Sequence, residues 1–178
     1  MTFISRYFPY EYVEDVFSID YKRLYEKGYR GLVFDIDNTL VPHGADSTKE
    51  VDDLFVRIHE TGLKTLLLSN NSETRIKRFL ANIDTLYIYD ANKPAPDAFE
   101  QAVLMLETKK EETIVVGDQV FTDIYGANRC GLPSILVKYI GYYKKEKKGI
   151  RRNIEKMILF LYQHSKKYQH RLNYKNKA

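Results

Sequence analysis

The 178-residue chain lacks several features that would place it in common protein classes. Its single cysteine, Cys130, cannot form an internal disulfide or a zinc cluster alone, which favours a reducing, intracellular setting and a buried, unreactive thiol. No apolar run approaches the roughly 18 residues that a membrane-spanning helix needs. The N-terminus has no basic start followed by a long apolar stretch, so no secretory signal is expected. These absences predict a cytoplasmic protein.

Motifs for nucleotide cofactors and for zinc are also missing. The chain contains neither a Gly-x-x-x-x-Gly-Lys-Ser/Thr loop nor a Gly-x-Gly-x-x-Gly turn, so a nucleotide cofactor is not indicated. The four histidines show no spacing typical of metal ligands. They are His43, His59, His164 and His170.

Charge is divided unequally along the chain. Residues 1–137 carry 15 Lys and Arg against 22 Asp and Glu, whereas residues 138–178 carry 13 against 2. The second part contains a lysine-rich run at 144–148 and apolar residues at helical intervals over 150–162, so 141–178 is predicted to form a basic amphipathic helix and tail. Such a segment either docks on the domain or meets an anionic partner. A membrane surface is the expected partner, and nucleic acid is the less expected one.

Strand-like and helix-like patterns alternate after residue 30. The predicted strands are 31–35, 64–68, 86–89, 113–116 and 133–137, and the predicted helices are 49–61, 73–81 and 96–106. This alternation is typical of an α/β domain in which helices cover both faces of a parallel sheet. Residues 31–140 are predicted to form this domain. The aromatic-rich residues 1–30 are expected to pack against it or to shield its sheet.

Four predicted strands end in polar clusters. The clusters are Asp35-Ile-Asp37, Ser69-Asn70-Asn71, Asp90-Ala-Asn-Lys93-Pro94 and Gly117-Asp118-Gln119. Right-handed crossovers place the carboxyl ends of parallel strands at one edge, where open α/β sheets bind ligands. Asp35 and Asp37 would point the same way on an extended chain, so their charges need a cation or a shared proton. The pair indicates a metal-assisted nucleophile with an acid beside it.

These clusters resemble the four ordered motifs of the haloacid dehalogenase (HAD) superfamily. The matching segments are Asp35-Ile-Asp37-Asn-Thr39-Leu, Ser69-Asn-Asn, Lys93-Pro94 and Gly117-Asp118-Gln-Val-Phe-Thr-Asp123. The resemblance implies a Rossmann-like HAD fold and phosphoester hydrolysis in which Asp35 forms an aspartyl-phosphate. Asp37 would act as general acid and then as general base. Its presence favours phosphate chemistry over dehalogenation.

The resemblance also implies the remaining site residues. Mg²⁺ would be held by Asp35, by the backbone carbonyl of Asp37, by Asp118 and, directly or through water, by Asp123. Ser69 would donate a hydrogen bond to the phosphoryl group and Lys93 would offset negative charge there. Supporting substrate contacts are expected from Thr39 and Asn70.

HAD enzymes often carry a cap domain after the first or second motif, but the gaps here hold little more than one helix each. The site is therefore predicted to be open, which suits a phosphate presented on a lipid head group, a protein, a nucleic acid or an oligosaccharide. A neighbouring subunit could still supply a lid, and the oligomeric state is left open.

Further segments resemble the capless class III (IIIA) subfamily that includes phosphatidylglycerophosphate phosphatases and their bacterial relatives. They are Phe8-Pro9-Tyr10-Glu11-Tyr12-Val13, Asp37-Asn38-Thr39-Leu40-Val41-Pro42, Ala91-Asn92-Lys93-Pro94 and Gly117-Asp118-Gln119 with Thr122-Asp123 and Gly126-Ala-Asn128-Arg129. This implies dephosphorylation of phosphatidylglycerophosphate by a peripheral enzyme at the inner membrane face, with Asn128 and Arg129 in substrate, loop or helix-surface contacts. Two alternatives stay open: a soluble HAD phosphatase acting on a small phosphometabolite or phosphoprotein, and an RNA- or protein-binding module that uses the basic tail.

Overall fold

One parallel sheet of six strands organises the chain. In a computed structural model that describes residues 3–138, 140 and 150–172, the strands are β1 (Glu11–Val13), β2 (Gly31–Phe34), β3 (Lys64–Leu68), β4 (Leu86–Ile88), β5 (Thr113–Gly117) and β6 (Ser134–Val137). Their order is β1-β6-β5-β2-β3-β4, and every neighbouring pair is parallel. Strands β3 and β4 thus lie on one side of β2, and β5 and β6 lie on the other. This reversal of strand order leaves a crevice at the carboxyl ends of β2 and β5.

Helices cover both faces of the sheet, as predicted. They are α1 (Tyr21–Glu26), α2 (Lys49–Glu60), α3 (Glu73–Phe79), α4 (Pro96–Leu106), α5 (Tyr125–Cys130) and α6 (Ile150–Gln163). Helices α1, α2 and α3 contribute to one apolar cluster, and α4 and α5 to a second. Because side chains alternate along a strand, Leu32 and Phe34 enter the first cluster and Val33 the second. The predicted Rossmann-like α/β architecture is confirmed.

The connections around the catalytic edge are short. Between β2 and β3 the chain forms a loop and α2, and between β3 and β4 it forms α3 and a single 3-10 turn, Leu80–Asn82. Neither connection contains a separate domain. The capless architecture is confirmed.

The N-terminal segment adds an edge strand to the sheet. Strand β1 pairs with β6 in register, with Glu11 opposite Ile135 and Val13 opposite Val137. A three-residue edge strand is too short to show the alternation by which strands are found in sequence. The N-terminal segment thus packs on the core in part as a strand of the sheet.

Helix α6 docks on the domain through one face. Ile158 and Tyr162 are buried there, and the ring of Tyr162 packs edge-on against Phe8. After α6 the guanidinium of Arg171 lies 3.7 Å from the ring centre of Tyr10. The lysine-rich run at 144–148 lies outside the described residues. None of the described helices is both long enough and apolar enough to cross a bilayer.

Candidate active site

Polar residues from the carboxyl ends of four strands meet at one edge of the sheet. Asp35 follows β2, and its backbone N–H donates to the carbonyl of Val116 on β5 (2.9 Å). Asp118 follows β5, Ser69 follows β3, and Lys93 lies in the loop after β4. The strand order therefore brings together residues that are up to 83 positions apart, from Asp35 to Asp118.

Lys93 is buried between two carboxylates. Its Nζ lies 2.6 Å from Oδ1 of Asp35 and 2.7 Å from Oδ1 of Asp123. Burial alone would lower the pKa of Lys93, but the negative charges of Asp123 and Asp35 outweigh it and raise that pKa. The lysine therefore stays a cation at the centre of the site.

Three carboxylates crowd around this single cation. One oxygen each from Asp35, Asp118 and Asp123 lie within 4.8 Å of one another. Burial raises the pKa of Asp35 to about 6, with Lys93 opposing the rise and Asp123 adding to it. Burial, together with the charges of Asp123 and Asp35, raises the pKa of Asp118 to about 9. The cluster has more negative charge than one lysine offsets.

These residues fit a divalent cation. Oδ2 of Asp118 is buried and has no hydrogen-bond partner, so one acceptor in the cluster is left unsatisfied. Carboxylate oxygens are the ligands that hard divalent cations prefer. A bound cation would satisfy this oxygen and balance the remaining charge. The site is thus suited to a metal held by Asp35, Asp118 and Asp123.

Asp123 reaches the cluster because of a tight turn after β5. It lies in a π-helical segment, Val120–Ile124, and its Oδ2 accepts a hydrogen bond from the backbone N–H of Gln119 (3.1 Å). A Cβ on Gly117 would lie 2.4 Å from the carboxyl carbon of Asp123. Only glycine at position 117 leaves room for this side chain to turn back toward β5.

The Asp37 side chain lies apart from the three-carboxylate cluster and has its own partners. Its Oδ1 accepts from the backbone N–H of Gly44 (2.9 Å) and from Nη2 of Arg75 (2.9 Å), and its Oδ2 accepts from Nδ2 of Asn71 (2.5 Å). Burial alone would raise the pKa of Asp37, but the Gly44 N–H and the Arg75 guanidinium outweigh it and lower that pKa. The carboxylate is held ionised in a fixed orientation.

Comparison with known proteins identifies this arrangement. Residues 90–153 match the family described as HAD-hydrolase-like. The chain is 36% identical over 154 residues to the Bacillus subtilis (strain 168) protein named "Probable phosphatase YqeG", which covers 86% of this chain and 90% of that protein. The chain belongs to the HAD superfamily. Together with the site, these similarities make it a phosphatase of that superfamily.

A second relative and a solved structure extend the comparison. The HAD chain is 29% identical over 167 residues to the Arabidopsis thaliana protein named "Phosphatidylglycerophosphate phosphatase 1, chloroplastic/mitochondrial", which covers 86% of this chain and 46% of that protein. The crystal structure of an uncharacterized protein from Listeria monocytogenes serotype 4b matches with a TM-score of 0.52 at 19% identity, covering 76% of this chain and 99% of that one. At that identity the structural match concerns the fold alone.

Two hydroxyl groups lie at the HAD site, in different surroundings. Oγ of Ser69 accepts hydrogen bonds from the backbone N–H (3.2 Å) and from Nδ2 (3.1 Å) of Asn71, so its own hydrogen can be donated elsewhere. The fully buried Thr39 hydroxyl lies 3.3 Å from Oδ2 of Asp35 and 3.4 Å from Oδ1 of Asp118. Thr39 therefore supports the HAD carboxylates, and its expected contact with substrate stays a prediction.

The side chain of Asn70 is bonded to the loop after β4, and its expected contact with substrate stays a prediction. Its Oδ1 accepts from the backbone N–H of Lys93 (2.7 Å) and its Nδ2 donates to the backbone carbonyl of the same residue (3.2 Å). Both ends of the amide thus hold the loop that carries the HAD lysine. Asn70 is a positioning residue for Lys93.

Asn128 and Arg129 contact the backbone of the HAD domain itself. Nδ2 of Asn128 donates to the carbonyls of Arg6 (2.8 Å) and Phe8 (3.0 Å), so it fastens the N-terminal segment. Nη1 of Arg129 donates to the carbonyl of Pro94 (3.1 Å), beside Lys93. Of the alternatives left open by the sequence, loop contacts describe both residues.

Proposed function

We propose that this HAD phosphatase is a Mg²⁺-dependent phosphomonoesterase that converts phosphatidylglycerophosphate to phosphatidylglycerol through an aspartyl-phosphate. The observation that carries the proposal is the Asp35–Lys93–Asp123 arrangement beside Asp118, at a sheet edge that no cap domain covers within the described residues. Similarity over 86% of the chain to a relative named for this lipid phosphatase supports the choice of substrate.

Mg²⁺ is the cation proposed for the carboxylate cluster. Asp35, the backbone carbonyl of Asp37, Asp118 and, directly or through water, Asp123 would hold it. Mg²⁺ favours a few carboxylates together with water and a substrate phosphate oxygen. When bound, it would supply charge stabilisation for the phosphoryl group. The unsatisfied oxygen of Asp118 favours this assignment.

Asp35 is the proposed nucleophile. An oxygen of its carboxylate forms a bond to phosphorus while the bond from phosphorus to the leaving oxygen breaks. Lys93, 2.6 Å from Asp35, lies where it can offset charge on the transferring phosphoryl group, and Ser69 has a hydrogen to donate to a phosphoryl oxygen. Water then attacks the aspartyl-phosphate, which releases inorganic phosphate and restores Asp35.

Asp37 is the proposed acid and base for these two steps. Asp37 takes up a proton from solvent before the first step, gives it to the leaving oxygen of the lipid, and later accepts a proton from the attacking water. Its observed partners, Gly44, Asn71 and Arg75, fix the carboxylate within the site between these transfers. We assign Arg75 and Asn71 as positioning residues for Asp37.

Arg75→Met tests this positioning role, since it removes the guanidinium and keeps an apolar stem. We expect kcat for alkyl phosphates to fall by roughly 10- to 100-fold, because misplaced catalytic groups cost about this much. The effect on p-nitrophenyl phosphate should be smaller, because its leaving group needs little protonation. Steady-state kinetics with both esters makes the measurement.

Arg78→Met is the matched control for Arg75→Met. Arg78 lies one helical turn later on α3 and binds the carbonyl of Gly44 (2.7 Å) and the carboxylate of Asp46, without a bond to Asp37. Its loss should change the two activities little. Equal losses on alkyl and aryl esters in Arg75→Met would contradict the proposed link to Asp37.

An open site suits a phosphate that is displayed on a surface. The terminal phosphomonoester of phosphatidylglycerophosphate stands in the head-group layer of an anionic bilayer, where a cap domain would obstruct access. Binding energy from the rest of the lipid can also be used to orient the reacting phosphate. A small soluble ester offers less of this remote binding energy.

A phosphate-release screen tests the substrate. Phosphatidylglycerophosphate in detergent micelles is compared, with Mg²⁺, against glycerol phosphate, sugar phosphates and phosphopeptides, and the Asp35→Asn protein serves as the blank for contaminating phosphatases. We expect kcat/KM for the lipid to exceed that for the soluble esters by roughly 100-fold or more. Equal or faster hydrolysis of a soluble ester would support the alternative of a soluble phosphatase instead.

A further inference from the structure

Helix α6 is amphipathic, and its buried face joins an apolar cluster that includes residues near the catalytic edge. Ile158 and Tyr162, four residues apart, share an apolar cluster with Val120 and Ile124. The last two residues begin and end the π-helical segment that carries Asp123. The helix therefore belongs to the same apolar cluster as the segment that completes the carboxylate site.

The other face of α6 is apolar and exposed in the described part of the chain. The exposed residues are Ile154 (40%), Met157 (53%), Phe160 (58%) and Leu161 (39%). At 3.6 residues per turn these positions form one stripe along the helix. Single exposed apolar side chains are ordinary, but a contiguous stripe on a helix marks an interaction surface.

The charge around this stripe indicates what the surface binds. Residues 150–172 contain six Lys and Arg and one Glu, and of these cations Lys156, Lys166 and Lys167 are exposed. Two copies of such a surface would bring like charges together, which opposes self-association. An anionic bilayer offers both apolar acyl chains for the stripe and negative head groups for the cations.

We propose that the exposed face of α6 docks this protein on anionic membranes, with Met157 and Phe160 entering the interface and nearby cations such as Lys156, Lys166 and Lys167 binding lipid head groups. The helix lies in the plane of the interface, since it is too short and polar to span it. Because α6 shares an apolar cluster with the segment of Asp123, docking brings the lipid surface toward the catalytic edge. The catalytic benefit of docking rests on the proposed function, whereas the binding itself does not.

Vesicle sedimentation of the full chain tests the docking surface. At about 0.15 M salt, the wild-type protein should bind vesicles of phosphatidylglycerol and phosphatidylcholine more tightly than vesicles of phosphatidylcholine alone. The double variant M157E/F160E should bind the anionic vesicles roughly 10-fold or more weakly. L104E is the matched control, because Leu104 is 76% exposed on α4 and should not affect binding.

A second variant separates charge from apolar contact. K166E/K167E should also weaken binding to anionic vesicles and should make it less sensitive to salt. Both double variants change exposed residues outside the catalytic site, so hydrolysis of p-nitrophenyl phosphate should remain at the wild-type rate. That activity also shows that the variants are folded.

The outcomes distinguish docking from substrate choice. Wild-type binding to anionic vesicles without hydrolysis of phosphatidylglycerophosphate would keep the docking surface and reject the proposed substrate. Hydrolysis of the lipid in micelles without vesicle binding would reject the docking surface alone. Unchanged vesicle binding by M157E/F160E would also overturn it. If the wild-type protein is a dimer that does not bind vesicles, and M157E/F160E is a monomer, the stripe is instead the surface on which a second copy docks.

Discussion

Asp35→Asn is expected to lower kcat for Mg²⁺-dependent phosphate release by roughly 1,000-fold or more. An amide oxygen is a poor nucleophile toward phosphorus, and the variant cannot form the aspartyl-phosphate. Asparagine has nearly the same shape as aspartate, and its carbonyl oxygen can still accept from Lys93. The loss should therefore appear in activity, with little change in the temperature of unfolding.

Asp90→Asn provides the matched control for this charge removal. Asp90 is exposed in the loop after β4 and has a positive φ of 45°, which asparagine tolerates. Its activity should stay near the wild-type level. Phosphate-release kinetics and thermal unfolding of both variants make the comparison. Full Mg²⁺-dependent activity in Asp35→Asn would show that another group attacks phosphorus.

The main catalytic cluster could be predicted from the sequence because each member follows a strand. Asp35, Lys93 and Asp118 come directly or shortly after apolar runs, and parallel topology carries such positions to one edge. The structure brings them together there. Their neighbour Asp123 lies close enough along the chain to Asp118 for its placement to follow from the same motif.

The surroundings of Asp37 could not be predicted in this way. Strand alternation predicts that Asp37 points with Asp35, but it does not predict that Asn71 and Arg75 bind its carboxylate. Arg75 is 38 positions away on α3, and no spacing rule links it to Asp37. Such contacts depend on how helices pack and on side-chain rotamers, which periodicity does not specify.

The same distinction holds for the fold. Long apolar patterns located β2 to β6 and α2 to α4 within about two residues, which is the usual uncertainty of element ends. The short elements β1, α1 and α5 span less than two periods of a recognisable pattern, so periodicity does not find them. For α6, periodicity finds apolar residues but does not indicate which of them the domain covers.

Asp118→Asn should have opposite effects on stability and on activity. In the metal-free protein, the buried carboxyl of Asp118 lies beside Asp35 and Asp123. It must either take up a proton or stay charged next to two negative groups, and both cost free energy. An uncharged amide avoids this cost, so the melting temperature in EDTA should rise by about 2–4 °C per kcal/mol relieved. This free-energy cost is absent below pH 3.8, the ordinary pKa of an aspartate. It grows as the pH rises toward about 9, because folding raises the pKa of Asp118 to about that value. The gain in stability should follow the same trend.

With Mg²⁺ the order should reverse. A ligand present at 100 times its dissociation constant stabilises the wild-type fold by about 2.7 kcal/mol. This raises the melting temperature by about 5–10 °C for a domain of this size. Asp118→Asn should lose most of this increment and at least roughly 100-fold of the activity, since a metal ligand is gone. Asp90→Asn should keep both. Calorimetry with and without Mg²⁺ makes the measurement. If Mg²⁺ raised the melting temperature of Asp118→Asn as much as that of the wild type, Asp118 would be excluded from the metal site. A merely structural Asp118 predicts destabilisation in both conditions, so the sign of the change in EDTA separates a residue kept for metal binding from one kept for the fold.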